Sequence, residues 1–276
     1  MATTQKAASP KKSQGFQGIR AAIWVIVVCL IIAICIYKFL LGNPSNFAGN
    51  DPAGHPTNLL GTIYKGGIIV PIIQTLLLTV IALSIERWLA LRTAFGKGSL
   101  AKFVANIKAA VAKGDFNAAQ SICDKQKGSV ANVVSASIRA YKEMETATGL
   151  KKAQKVAKIQ QAHEEATQLE MPTLQMNLPI LATIVTLGTL TGLLGTVIGM
   201  IRSFQALAAG GGGDSLALST GISEALINTA FGILTSWCSV IAYNTFTNKI
   251  DKLTYALDEV GYTIAQTYEA NHTEEA

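Results

Sequence analysis

The chain has 276 residues, half of them hydrophobic and only 14% charged, with a mean hydropathy of +0.35. That balance fits a membrane protein better than one or two soluble domains. The formal charge is +6, but Lys and Arg stand between apolar runs with few aromatics among them, a pattern that orients a chain in a bilayer rather than gripping nucleic acid.

Four runs are long and apolar enough to cross a hydrocarbon core, which takes about 20 residues of helix. They cover roughly 21–41, 67–91, 177–207 and 220–246. The first follows a basic tail, 1–20, carrying Lys6, Lys11, Lys12 and Arg20. A secretory signal peptide has the same order, but its apolar core is about 7 to 15 residues and ends at a small-residue cleavage site. The run here is longer and lacks such a site, so an uncleaved anchor is expected.

The segment 42–66 is expected to be a connector, because Asn43-Pro44, Asn50-Asp51-Pro52, Gly54 and His55-Pro56 mark turns throughout. The second run, 67–91, closes with Glu86 and Arg87, read as an interfacial pair at its inner end. The segment 92–176 reads as helical, rich in Ala, Lys, Gln and Glu and punctuated by Gly114, Gly128 and Gly149. Its last part, Leu150 to Leu169, is polar all round and enters the third run through Met171-Pro172. One long helix kinked near Pro172 and Pro179 is expected there, with an independent solvated helix as the other reading.

The loop 208–219 contains the run Gly210 to Gly213, expected as a flexible turn, since a phosphate loop would need Lys and Ser or Thr after it. The tail 247–276 is expected to be helical. Thirteen Lys or Arg residues lie in 92–173, one in 42–65 and none in 210–219. Short loops rich in these residues stay in the cytoplasm, which puts both termini and the large central segment inside. Cys29, Cys35, Cys123 and Cys238 form no CxxC pair, and His55, His163 and His272 lie far apart. No disulfide framework, metal site, cofactor or catalytic constellation is expected.

The last two runs carry the chemistry. In the third, Gly188 and Gly192 are four apart, as are Gly195 and Gly199, which lets another helix approach closely. Thr189 and Thr196 lie on one face, near Thr186 and Thr191. In the fourth, Ala225, Thr229, Gly232, Ser236, Ser239 and Tyr243 form a seam of small and hydroxyl residues at alternating spacings of four and three. Glu224 and Asn228 stand beside it, one turn apart. Glu224 is the one carboxylate well inside a span, so it faces a bundle interior or an aqueous path, or else lies near the outer interface, satisfied by Asn228 or water. Arg202 is expected to snorkel to the outer interface or to pair with a nearby acid. The hydroxyls have a second reading as glue between helices. One carboxylate with hydroxyls is not a complete proton relay, so a partner bearing its own acid is expected.

Gly192-Leu193-Leu194-Gly195-Thr196-Val197-Ile198-Gly199-Met200 with Ser203-Phe204 resembles the central motif of the MotA/TolQ/ExbB proton-channel family. Gly221-Ile222-Ser223-Glu224-Ala225-Leu226, then Thr229-Ala230-Phe231-Gly232-Ile233 and Tyr243-Asn244, resemble its last-helix signature. A weaker likeness runs through Gly114-Asp115-Phe116, Cys123 and Gly128 to Val134, so that the resemblance covers roughly Pro71 to Asn248. The first run looks like a variant of the ExbB branch.

What the resemblance implies is an all-α polytopic membrane bundle with long helices extending into the cytoplasm. It also implies a homo-pentamer in the bacterial inner membrane around ExbD-like subunits, with a TonB-like protein receiving the work. Thr196 and Thr229 align with the family's pore-facing threonines and Glu224 with its buried glutamate; Thr189, Asn228 and Ser236 join them as candidate lining, and Gly188, Gly192, Gly195, Gly199 and Gly232 as packing positions. Gly188-Thr189 replaces a common Ala-Pro and Cys238 a proline, which removes expected kinks. A TolQ-like motor, a secondary transporter and a passive scaffold are the rival readings.

Overall fold

The computed structural model describes residues 22–52, 54–209 and 215–272. The expected basic tail 1–20 and the glycine run 210–213 lie outside the described residues. The fold is all-α, and among the described residues the one extended pairing is a bridge between Phe47 and Pro56. In chain order the helices are α1 (Ala22–Cys35, continued by a π-helical turn Ile36–Leu41), α2 (Leu59–Lys65), α3 (Ile69–Ala94), α4 (Leu100–Ala112) and α5 (Phe116–Gln126), then α6 (Gly128–Thr146), α7 (Lys152–Gln175), α8 (Leu178–Ala209) and α9 (Ser215–Asn271). Four of these are long and apolar enough to cross a membrane, and they begin with α1, α3 and the stretches containing α8 and α9. The protein is a multi-pass membrane protein.

The chain divides into two compact units. The first comprises residues 22–86 and Asn177–Phe246 and contains the apolar helices. Its helix α1 buries only the small residues Ala22, Cys29 and Ala33, while Ile23, Trp24, Val28 and Ile31 are more than half exposed. In water such a face would be untenable; in hydrocarbon it is the natural surface.

The segment after α1 is more than a connector. Asn46 is buried and its amide donates to the carbonyls of Leu40 (2.8 Å) and Leu41 (2.9 Å), capping the end of α1. Asn58 donates to Asn46 Oδ1 at 2.9 Å and accepts from the Gly61 amide at 2.9 Å, starting α2. Tyr37 stacks on Tyr64 with ring centroids 4.6 Å apart and donates to its carbonyl at 3.0 Å. Leu41, Ile63 and Val70 form a small apolar core that Ile227 and Phe231 of α9 join. The turn residues were correctly read as turns, but side-chain amides knit them into a folded cap that local sequence rules do not reveal.

The second unit comprises Arg87–Met176 and the chain from Thr247 onward. Its core is built by helical spacing: Phe103, Ile107 and Val111 on α4, Val130, Val134, Ile138 and Tyr141 on α6, and Ile250, Leu253, Leu257, Val260 and Ile264 on α9, all buried. Asp115 caps α5 by accepting from the Ala118 amide at 2.8 Å. His163 of α7 is buried, paired through Nδ1 with Ser137 at 2.9 Å, and its ring lies against Gly261.

One expectation needs correction. The chain does not run on as one kinked helix: α7 ends and α8 begins at Met176 and Asn177, between Pro172 and Pro179, where Asn177 adopts a left-handed φ of 64°. Pro172 is accommodated inside α7. Glu86 and Arg87, at the end of the second apolar run, are buried within the fold: Asn177 donates to Glu86 at 3.3 Å, while Arg87 donates to the Thr173 carbonyl at 3.1 Å and the Leu174 carbonyl at 3.4 Å. Those carbonyls belong to the last turn of α7, which has no helical partners for them, so a cation there satisfies acceptors and the helix dipole together.

Candidate functional site

The candidate residues lie where α8 and α9 run against each other in the first unit. Their backbones come close enough that side chains would not fit. A Cβ on Gly232 would lie 2.6 Å from the Gly188 carbonyl and 2.7 Å from Gly192 Cα, and one on Gly192 would lie 3.1 Å from Gly232 Cα. Gly188 faces Ser236, Gly195 faces Asn228 and Gly199 faces Ala225 in the same seam. Such contact recovers dispersion that lipid cannot supply between bulky side chains.

Close approach brings the hydroxyls together. Thr196 and Thr229 hydrogen-bond each other, and both reach the Gly192 carbonyl, Thr229 at 3.1 Å and Thr196 at 3.2 Å. Thr189 donates to Ser236 at 2.9 Å, and Ser239 donates to the Leu181 carbonyl at 2.7 Å. Ser236 and Ser239 are buried, whereas Thr189, Thr196 and Thr229 are half-buried and keep one edge at the surface of the chain. Thr186 is exposed and Thr191 half-buried. The outward faces of both helices carry Leu190, Leu193, Val197, Leu226, Ile233 and Trp237, all at least half exposed.

Asn228 is buried and donates to the Gly66 carbonyl at 3.1 Å. Its Oδ1 has no hydrogen-bond partner. Glu224, half-buried, lines a pocket of about 270 Å³ that it shares with Asn228, Arg202, Lys65 and His55. Lys65 and Arg202 both act electrostatically on the Glu224 carboxylate. Sequence reasoning named Glu224, Asn228 and Arg202 but missed Lys65 and His55. A usable signal existed: Lys65 is the single basic residue of the segment 42–65, and its position before the second run puts it at the same end of the spans as Arg202 and Glu224. Gln74 of α3 was also missed; its Oε1 is buried without a partner.

Among the described residues no group of three or more His, Cys, Asp or Glu could hold a metal ion. The arrangement is a set of hydrogen-bonded hydroxyls and one carboxylate on tightly packed apolar helices.

Comparison with known proteins shows what this chain is similar to. Residues 127–259 match the MotA/TolQ/ExbB proton channel family. The chain is 28% identical over 224 residues to the Tol-Pal system protein TolQ of Pseudomonas aeruginosa, an alignment covering 78% of this chain and 92% of that one. It is 37% identical over 87 residues to an ExbB-like biopolymer transport protein of Synechocystis sp., covering 31% of this chain and 41% of that one. With the biopolymer transport protein ExbB of Helicobacter pylori it shares 39% identity over 80 residues, 29% of this chain and 55% of that one. The chain thus spans nearly all of the TolQ but about half or less of these ExbB relatives. Residues 127–259 are thus similar to the MotA/TolQ/ExbB family, the likeness that the last two apolar runs implied, and that family is one of proton channels rather than an enzyme class. The matched stretch starts and ends later than the Pro71 to Asn248 read from the motifs.

Proposed function

From the MotA/TolQ/ExbB domain we propose that this chain is the channel-forming stator subunit of a proton-driven motor in the bacterial inner membrane, with both termini in the cytoplasm. The observation that carries the reading is the hydroxyl pair Thr196 and Thr229, set on a glycine seam in a membrane helix pair with Glu224 in the same unit. Hydroxyls alone do not complete a proton relay. An ExbD-like partner helix with its own carboxylate supplies the missing group, enclosed by a ring of five copies of this chain. The exposed apolar faces of α8 and α9 support neighbours of both kinds, lipid and protein.

In this mechanism a proton moving down its gradient alternately neutralises and exposes the partner's acid against Thr196, Thr229 and Glu224. Each change in charge alters how well the partner helix fits the polar lining, and this drives relative rotation. Helix α9, at 57 residues, is more than twice the about 20 residues a span needs, so its remainder belongs to the cytoplasmic part and carries the motion inward. A TonB-like protein receives the work for outer-membrane transport.

A second reading, a TolQ-like motor of envelope maintenance, is favoured by the alignment spanning 92% of the Pseudomonas TolQ. Purification with the co-expressed partner, followed by mass determination of the intact complex, tests ring size and partner together. Recovery of the chain alone and monomeric in a complex-preserving detergent would overturn the motor reading. The identity of the captured receiver protein separates the two branches.

A further inference from the structure

The pocket beside Glu224 has a roof that comes from outside the matched family stretch 127–259. We infer that it is a water-filled, cation-repelling antechamber to Glu224, roofed by the segment 54–69 and guarded by Lys65 and Arg202; this rests on reading α8 and α9 as a proton path.

Water is required by the polar groups. Asn228 is 3% exposed and donates one amide hydrogen to the Gly66 carbonyl, while its Oδ1 finds no protein donor. A buried acceptor left alone costs roughly 1 to 3 kcal/mol, and a water molecule is the usual remedy. The pocket, at about 270 Å³, has room for several, since each water takes about 30 Å³. Glu224 stands one turn away on the same helix and shares the wall.

Charge determines what else can enter. The lining presents Lys65 and Arg202 against the single carboxylate of Glu224, with His55 the remaining titratable group. A sodium or potassium ion would have to reside whole among these groups, exchanging its hydration shell for oxygens in a field with an excess of positive charge. A proton need not reside there; it passes along hydrogen-bonded water to the carboxylate. The guard is therefore a specificity device on the approach to Glu224.

The roof is held in place. Lys65 Nζ lies 5.8 Å from the centroid of the Phe47 ring, Tyr64 stacks on Tyr37, and Ile63 and Val70 pack with Ile227 and Phe231 of α9. The first apolar helix and its cap thus have a use in this protein: they position one cation over the acid.

The test is thiol modification of full-length Ile198→Cys in native membrane vesicles of both orientations, using methanethiosulfonates of similar size and opposite charge, with the parent chain run in parallel to subtract native cysteines. Ile198 is half-buried in the pocket wall. The anionic reagent is expected to react about tenfold faster than the cationic one, and Lys65→Gln or Arg202→Gln to bring the ratio toward one. Equal rates, a ratio unmoved by either substitution, or a folded chain unreactive to both reagents would overturn the antechamber. Thr220→Cys, on the same wall, serves if the first variant does not accumulate. These rates need no partner and no proton flux, so their failure is distinct from failure of the motor reading, which proton uptake by the wild-type complex tests separately.

Discussion

Thr196 and Thr229 meet hydroxyl to hydroxyl across the α8 and α9 seam, and both hydroxyls also reach the carbonyl of Gly192. Two hydroxyl protons are shared among these three contacts within one chain, and each threonine is half-buried rather than sealed. Helix glue and proton path are therefore compatible readings of the same two side chains: the bonds hold the helices, and the open edge leaves the hydroxyls within reach of a partner.

Replacing Thr196 or Thr229 by Val separates the two roles. Losing one hydroxyl contact between membrane helices costs about 1 kcal/mol, so the chain should still assemble and co-purify with its partner. Proton flux into vesicles carrying the complex should fall about a hundredfold, as for removal of a positioned proton-exchanging group. Unchanged flux in both variants would remove the pair from the path.

The seam itself should tolerate no side chain at its centre. In Gly232→Ala the new Cβ meets backbone atoms of Gly188 and Gly192 at 2.6 to 2.7 Å, and backbone cannot rotate aside. We expect several kcal/mol of destabilisation, comparable to or above ordinary overpacking at about 1 to 3 kcal/mol, and loss of folded protein by detergent size-exclusion chromatography. Gly114→Ala is the control: its φ is 71° but nothing lies within 4 Å, so only backbone strain of about 1 kcal/mol applies.

Cys123 gives the helical unit an alkaline limit. Burial among α5 and its neighbours pushes its thiol from an ordinary value of 9.0 up to about 12. The unfolded chain gives up this proton from pH 9 upward while the folded chain keeps it, so the contribution is intact below pH 9 and is lost as pH rises toward 12. Thermal unfolding followed by tryptophan fluorescence should show Tm falling over that window more steeply for the wild type than for Cys123→Ala. At neutral pH the same thiol should resist alkylation until the protein unfolds.

His163 and Gly261 should behave as a coupled pair. A Cβ on Gly261 would lie 2.5 to 2.7 Å from three ring atoms of His163, whose Nε2 is buried without a partner. Gly261→Ala should lower stability by about 1 to 3 kcal/mol. Adding His163→Ala should return part of that loss, because the methyl then occupies vacated space. Strict additivity in the double-mutant cycle would show that the ring is not what the methyl meets.

Much of this protein was open to a reader of the sequence. Hydrocarbon thickness and hydropathy are one-dimensional constraints, so the four apolar helices follow from run length alone. The motif from Gly192 to Met200 and the signature from Gly221 to Ile233 lie in contiguous sequence, which made the family likeness legible too. The bend expected near Pro172 and Pro179 is a full break between them, and its place at Asn177 was not legible because that residue takes its left-handed turn in a tertiary setting where its amide reaches Glu86.

By itself, the sequence determined which segments are apolar, which faces carry small and hydroxyl residues, and that a single carboxylate stands inside the last span. Only the tertiary structure decided the pairings: Thr196 with Thr229, Thr189 with Ser236, Asn228 with Gly66, and Lys65 with the pocket of Glu224. Periodicity assigns a residue to a face, but its partner depends on which helix packs there and at what height, and that is set by glycine seams and by tyrosine and asparagine hydrogen bonds between segments 27 to 162 residues apart.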